Sequence, residues 1–180
     1  MPSLTEEETR PLPQGDLALL DTGLARRLLD APIPARMAYV SADGTPRVVP
    51  TWFHWTGEEI VMVTYTAGPN IGIRHPAARI ASLRANPAVA LTIDTDTFPP
   101  QSLAIRGQAR ITDVDGIAAE YAAAARRYLG DEAAAGMLAA LDQPGTAQAR
   151  IAVRPAWVGL LDFEGRRPSP QGGVTGPDRA

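Results

Sequence analysis

RVVPTWFHW (residues 47–55) and EEIVMVTYT (58–66), followed by HPAARIASLRANPAVALTID (75–94), decide the fold. The first two segments are β-branched and aromatic, a composition suited to a half-buried pleated surface. Between them, Thr56-Gly57-Glu58 supplies the glycine of a tight hairpin. Pro50 has no amide proton for a ladder, so it marks an edge, a bulge or backbone turned toward a ligand. From Ala67 to His75 the alternation breaks up, with Gly68, Pro69, Gly72 and Pro76 marking a loop. Pro76 suits the first turn of a helix, AARIASLRAN, that stops before Pro87. On it Ile80 and Leu83 face inward, while Arg79 and Arg84 project elsewhere. VALTID forms the next strand. A cationic helix or loop beside a sheet is able to hold a phosphorylated group.

Toward the N-terminus, RMAYVS (36–41) predicts a strand, and Asp43-Gly44 supplies the positive φ angles of its hairpin turn. A helix is predicted over Asp21–Asp30, with Leu24 and Leu28 one turn apart. Toward the C-terminus, SLAIRGQARIT (102–112) alternates as a fifth strand, and Gly107 in its middle marks a place where a side chain is unwelcome. A helix is expected from Asp115, carrying Ile117, Tyr121 and Tyr128 near one face, with Gly130 as its C-cap. Asp131 restarts it, and ARIAVRPAWVGLLDF (149–163) is the final strand, interrupted at Pro155. The predicted class is α+β, an antiparallel barrel of about six strands with a few flanking helices. Residues 1–15 and 165–180 have the composition of flexible tails around a single domain over 16–164.

The chain has 180 residues and a formal charge of −3, without the global basic field of a nucleic-acid binder. Every basic side chain is arginine, because the sequence contains no lysine. It contains no cysteine either, which excludes disulfides, thiolate metal sites and iron–sulfur clusters. No segment approaches the roughly 20 apolar residues of a membrane span, and the acidic, proline-rich start is unlike a signal peptide. The expected location is cytoplasmic, with neither nucleic acid nor membrane as a partner.

The ordered set YVSADGTPRVVPTWFHW, EEIVMVTYT, ARIASLRANPAVALTID and LAIRGQARI, over Ala38–Ile111, resembles the pyridoxamine 5'-phosphate oxidase-like superfamily of split β-barrel flavin and deazaflavin oxidoreductases. That resemblance implies a homodimer with cofactor sites between subunits. It places a flavin or deazaflavin ring along Pro50, Thr51 and Trp52 and near Val63 and Thr64. Arg79 falls where relatives place a phosphate-binding lysine or arginine, and Ser102, near Gln101, where some use a polar side chain toward the ring. The 68–78 loop is longer than in many relatives, so Arg74 and His75 reshape the phosphate end. The C-terminal arginine–histidine segment that acts on vitamin B6 is not evident in WVGLLDFEGRRP, which argues against vitamin B6 oxidation.

A flavin carries hydride chemistry on its own ring, so an enzyme of this kind needs no acid–base cluster, and no catalytic residue is assigned. Trp52 and Phe53 alternate across a strand and cannot share a face. His54 is a candidate proton donor or haem ligand; with only His54 and His75 in the chain, no multi-histidine metal site is expected. Asp94 and Asp96 read as the start of a solvated loop. The expected function is an oxidoreductase that uses FMN, as first choice, or a deazaflavin coenzyme on a small organic substrate. The alternative is a non-catalytic flavin or haem carrier in the same groove.

Overall fold

Trp52 is where one extended run of chain changes partners. A computed structural model describes residues 12–69, 76–163, 167–168 and 174–175. Strand β1 (Ala35–Val40) turns through Gly44, at φ +79°, into β2 (Pro46–Thr51). Trp52 separates β2 from β3 (Phe53–Trp55), and Gly57, at φ +97°, turns β3 into β4 (Ile60–Ala67). The remaining sheet strands are β5 (Ala88–Asp94), β6 (Gln101–Asp115) and β7 (Ala147–Asp162). Their order is β2-β1-β5-β6-β7-β4-β3, and every neighbouring pair is antiparallel. The two edge strands, β2 and β3, are thus consecutive in sequence and joined by one residue, so the sheet curls round on itself.

The closure is incomplete. Phe53 pairs with Met62 and Trp55 with Ile60, but among the described residues β4 from Val63 onward pairs only with β7. Its other edge faces the end of β2 across a seam. This is the split of the expected barrel, built from seven sheet strands because the run 47–55 divides in two.

Inward positions alternate as the pleat requires. Met37, Phe53, Ile60, Met62, Leu91, Ile93, Leu103, Ile105 and Ile151 fill the centre and are almost wholly buried. A 3-10 turn (Leu17–Asp21) and helix α1 (Gly23–Asp30) plug one end with Leu19, Leu28 and Leu29. Thr22 caps α1, accepting from Ala25 N at 3.3 Å, so the helix starts two residues after Asp21. Helix α2 (Pro76–Ala85) stands against the sheet with Ile80 and Leu83 buried. Helices α3 (Ala119–Leu129) and α4 (Asp131–Leu141) meet at Gly130, at φ +81°.

Two boundaries differ from the sequence expectation. Asp115 does not begin a helix: β6 continues to it because Asp115 still pairs with Ala147, and α3 starts four residues later. Strand β7 runs through Pro155, but its pairing with β6 slips there: Gly107 opposes Pro155 and Arg106 opposes Trp157, which leaves Ala156 of β7 as the extra residue of a bulge. A Cβ on Gly107 would lie 2.5 Å from the Arg154 carbonyl oxygen, which accounts for the glycine. Near the termini, Gln14 hydrogen-bonds both backbone groups of Leu160, and Arg167–Pro168 pairs with Val174–Thr175. The rest of the expected tails lies outside the described residues.

Candidate functional site

The seam between β2 and β4 is a groove of about 380 Å³, within the range of about 300–1,000 Å³ typical of small-molecule sites. Pro50, Thr51 and Trp52 form one bank, Val63 and Thr64 the other, and Arg79 reaches in from α2. The residues expected from the sequence are therefore neighbours in space, Ser102 excepted. Ser102 lies on β6 opposite Asp94 and Leu161 and does not line this groove. Arg74 and His75, and most of the long loop, fall outside the described residues.

The banks are shaped by the split. A strand edge without a ladder partner presents backbone donors and acceptors, and β4 from Val63 presents its free edge here. Thr64 is buried, Trp52 and Val63 half-buried, and Pro50 exposed at the rim. Such a slot suits a flat ring with polar edges.

Helix α2 fixes Arg79. Ile80 and Leu83 anchor the helix, and the buried Ser82 hydroxyl donates to Ala78 O at 2.9 Å and accepts from Ala42 N at 3.2 Å. Arg79 makes no ion pair with any described residue, whereas Arg36, Arg47, Arg84, Arg110, Arg150 and Arg154 all face carboxylates. Burial draws the Arg79 guanidinium below its ordinary pKa, opposed by Tyr39. An unpaired, desolvated cation at the wall of a groove is complementary to a phosphate.

The structure adds aromatic residues that sequence reasoning did not assign to the site. Tyr65 and Tyr121 complete the lining. Trp52 stacks on Tyr128 with ring centroids 4.9 Å apart and planes within 5°, and more loosely on Tyr121 at 6.5 Å. Tyr128 is held by its hydroxyl, which donates to Ile33 O at 3.0 Å. Arg127 donates to the carbonyls of Leu29 and Phe53 and to the Tyr128 hydroxyl, tying α3 to both. The shared face of Tyr121 and Tyr128 was visible in the sequence; that it covers Trp52 was not.

His54 points away from the core residue Phe53 and does not line the groove. Burial and the nearby Arg127 lower its pKa, partly offset by Glu120, so it is neutral near pH 7. Beside it, Arg150 bridges Glu120 at 2.7 Å and Glu59 at 3.1 Å. Asp94 pairs with Arg36 instead of standing free, in a second depression of about 290 Å³ that shares Pro50 with the groove. Among the described residues there is no cluster of metal-ligating side chains, and no helix is long and apolar enough to cross a membrane.

A family model for pyridoxamine 5'-phosphate oxidase matches residues 22–162. Among solved structures, an F420 reductase is 27% identical, with a TM-score of 0.54 over 74% of this chain and 94% of that one. The conserved hypothetical protein Rv2991 of Mycobacterium tuberculosis is 15% identical, with a TM-score of 0.60 over 87% of this chain and 91% of its own. A putative pyridoxamine 5'-phosphate oxidase from Listeria innocua is 16% identical, with a TM-score of 0.51 over 76% and 94%. The latter two likenesses establish the shared split-barrel fold alone. Comparison with curated proteins gives no match. Because the family model spans the whole barrel from α1 through β7, this chain belongs to the pyridoxamine 5'-phosphate oxidase family.

Proposed function

We propose that the protein is an oxidoreductase using FMN or a deazaflavin coenzyme to pass hydride to or from a small organic substrate. The ring would lie in the seam along Pro50–Trp52 and Val63–Thr64, with its phosphate at Arg79. The observation that carries this reading is Arg79, a desolvated guanidinium with no carboxylate partner among the described residues, in a groove whose other bank is a strand edge with no ladder partner among them. Such a group, when bound, supplies the hydride chemistry itself. The chain's own residues have three tasks: the strand edge meets the ring's polar rim, Arg79 holds the phosphate, and the Trp52–Tyr128 stack keeps the wall flat and dry. Arg79 serves either phosphate, and the likeness to an F420 reductase supports the deazaflavin choice beside FMN.

A second copy of the chain is the proposed partner. Strand β2 is an edge, with Val48 64% exposed and Val40 of β1 close to it at 37%. An apolar edge of this kind is normally covered.

Mass spectrometry under native conditions, together with the absorption spectrum of the purified protein, tests the proposal. The expected result is a dimer mass carrying FMN, or one that takes up added FMN or deazaflavin. A Soret band would support the haem-carrier alternative instead. No measurable binding of FMN, deazaflavin or haem refutes the cofactor reading.

A further inference from the structure

Pro50 is shared by the groove and by a depression of about 290 Å³ whose other walls are Pro32, Ile33, Pro34, Arg36, Asp94 and Asp96. The apolar wall is the linker between α1 and β1, where Pro32 and Pro34 fix their own backbone angles. The Ile33 carbonyl accepts from the Tyr128 hydroxyl at 3.0 Å, and the Tyr128 ring stacks on Trp52. One side chain thus sets the linker against the bank of the groove, so the depression is shaped before a ligand arrives.

The polar wall comes from the sheet. Arg36 stands opposite Pro50 on β2 and Thr92 on β5, so the three share one face, and Asp94 follows on that face two residues after Thr92. Asp96 lies just beyond β5, on a loop closed at its neck: Thr95 N donates to Gln101 O at 2.9 Å, and Gln101 N to Thr95 Oγ1 at 3.0 Å. Arg36 and Asp94 neutralise each other. Asp96 makes no ion pair with any described residue, so the lining keeps a net negative charge.

That charge selects the occupant. An anion has to pull Arg36 from Asp94 and then face Asp96, whereas a cation meets Asp96 with the pair intact. A metal ion is poorly served, because hard divalent cations take about six or more oxygen ligands and no three ligating side chains stand together among the described residues. An organic cation gains on both walls, its charge at the carboxylate and its carbon body on the prolines.

We propose that the depression binds a small organic ammonium compound, Asp96 meeting the charge and Pro32, Ile33, Pro34 and Pro50 the apolar body. The cavity and its charge stand by themselves; their use as a substrate site rests on the oxidoreductase reading above, in which Pro50 borders both ring and substrate.

The test titrates purified protein with isotope-labelled isoleucine and valine methyl groups, before and after loading with FMN or a deazaflavin. The probes are benzylammonium, its neutral isostere benzyl alcohol and the anion benzoate. In the NMR spectrum the Ile33 methyl reports the depression and the Val63 methyls the groove. Benzylammonium is expected to shift Ile33 saturably, with an affinity at least about fivefold above that of benzyl alcohol, and benzoate to bind more weakly than either. Asp96→Asn, at an exposed position, should bring benzylammonium down to the level of benzyl alcohol. Arg36→Gln leaves Asp94 unpaired and should tighten benzylammonium, a gain that general loss of structure would not produce. No saturable shift at Ile33, equal affinity for all probes, or tighter benzoate overturns the site. So does unchanged benzylammonium affinity in Asp96→Asn, or no gain in Arg36→Gln. If neither cofactor shifts Val63 while benzylammonium still shifts Ile33, the oxidoreductase reading falls and the cation site stands.

Discussion

Replacing Arg79 with glutamine separates a binding role from a structural one, because the two predict opposite changes in stability. In the fold without a bound anion, Arg79 has no carboxylate among the described residues and is desolvated. Glutamine therefore removes a burden and breaks no ion pair, and the thermal midpoint should stay level or rise. Binding should suffer. A hydrogen bond to a charged group contributes about 1.5–3 kcal/mol, so the dissociation constant for FMN or a deazaflavin should rise about tenfold to a hundredfold. Fluorescence titration of the cofactor measures the affinity, and a thermal melt of the same sample measures stability. Arg84→Gln is the internal control. Arg84 sits five residues on in the same helix, but its guanidinium is paired with both oxygens of Asp113 at 2.7 and 2.9 Å and is half exposed. Loss of an exposed pair costs at most about 1 kcal/mol, and cofactor affinity should not change. Unaltered affinity in Arg79→Gln would take Arg79 out of the site. A midpoint lower by many degrees would show that the guanidinium supports the fold.

The bulge and the histidine provide two further tests. Gly107→Ala places a Cβ 2.5 Å from the Arg154 carbonyl oxygen, and such overpacking costs about 1–3 kcal/mol; chemical denaturation with an unchanged midpoint would show that the β6–β7 bulge relaxes freely. His54 has a lowered pKa in the fold, from burial and Arg127, so its contribution to stability is present above the unfolded value near 6.5 and is lost as pH falls through the lower folded value. Midpoints measured between pH 7.5 and 5 should fall in wild type and fall less in His54→Gln, whereas Glu59 and Glu120, also lowered, act only below the carboxylate range near 4.5. Equal slopes in the two proteins would exclude His54 as the source.

Elements encoded by short-range chemistry were legible in the sequence. Asp43-Gly44, Thr56-Gly57 and Gly130 specify turns through their own backbone preferences, and Pro76 with Ile80 and Leu83 marks α2. What depended on distant partners was not. Residues 47–55 read as one strand because nothing local distinguishes Thr51, which pairs with Ala35, from Phe53, which pairs with Met62. Asp115 has the chemistry of an N-cap, yet Ala147 across the sheet keeps it in β6, and Gln148 serves the start of α3 from another strand. The grouping of Pro50, Thr51, Trp52, Val63, Thr64 and Arg79 came from family likeness, since periodicity cannot bring two edges of a sheet together. Alternation alone could have added Tyr65, which shares a face with Val63. Tyr121 required knowing where α3 docks, and Ser102 gave no local sign of its position away from the groove.

The single residue between β2 and β3 makes the strand register sensitive to length where it is tolerant of chemistry. Trp52 can be exchanged for another side chain while Thr51 and Phe53 keep their partners. One residue inserted or deleted beside it would rotate everything downstream by half a pleat, sending Phe53 and Trp55 outward and His54 into the core. Divergence among chains built this way should therefore proceed at Trp52 by substitution, while gains and losses of residues collect in the turns on either side, at 41–45 and 56–59.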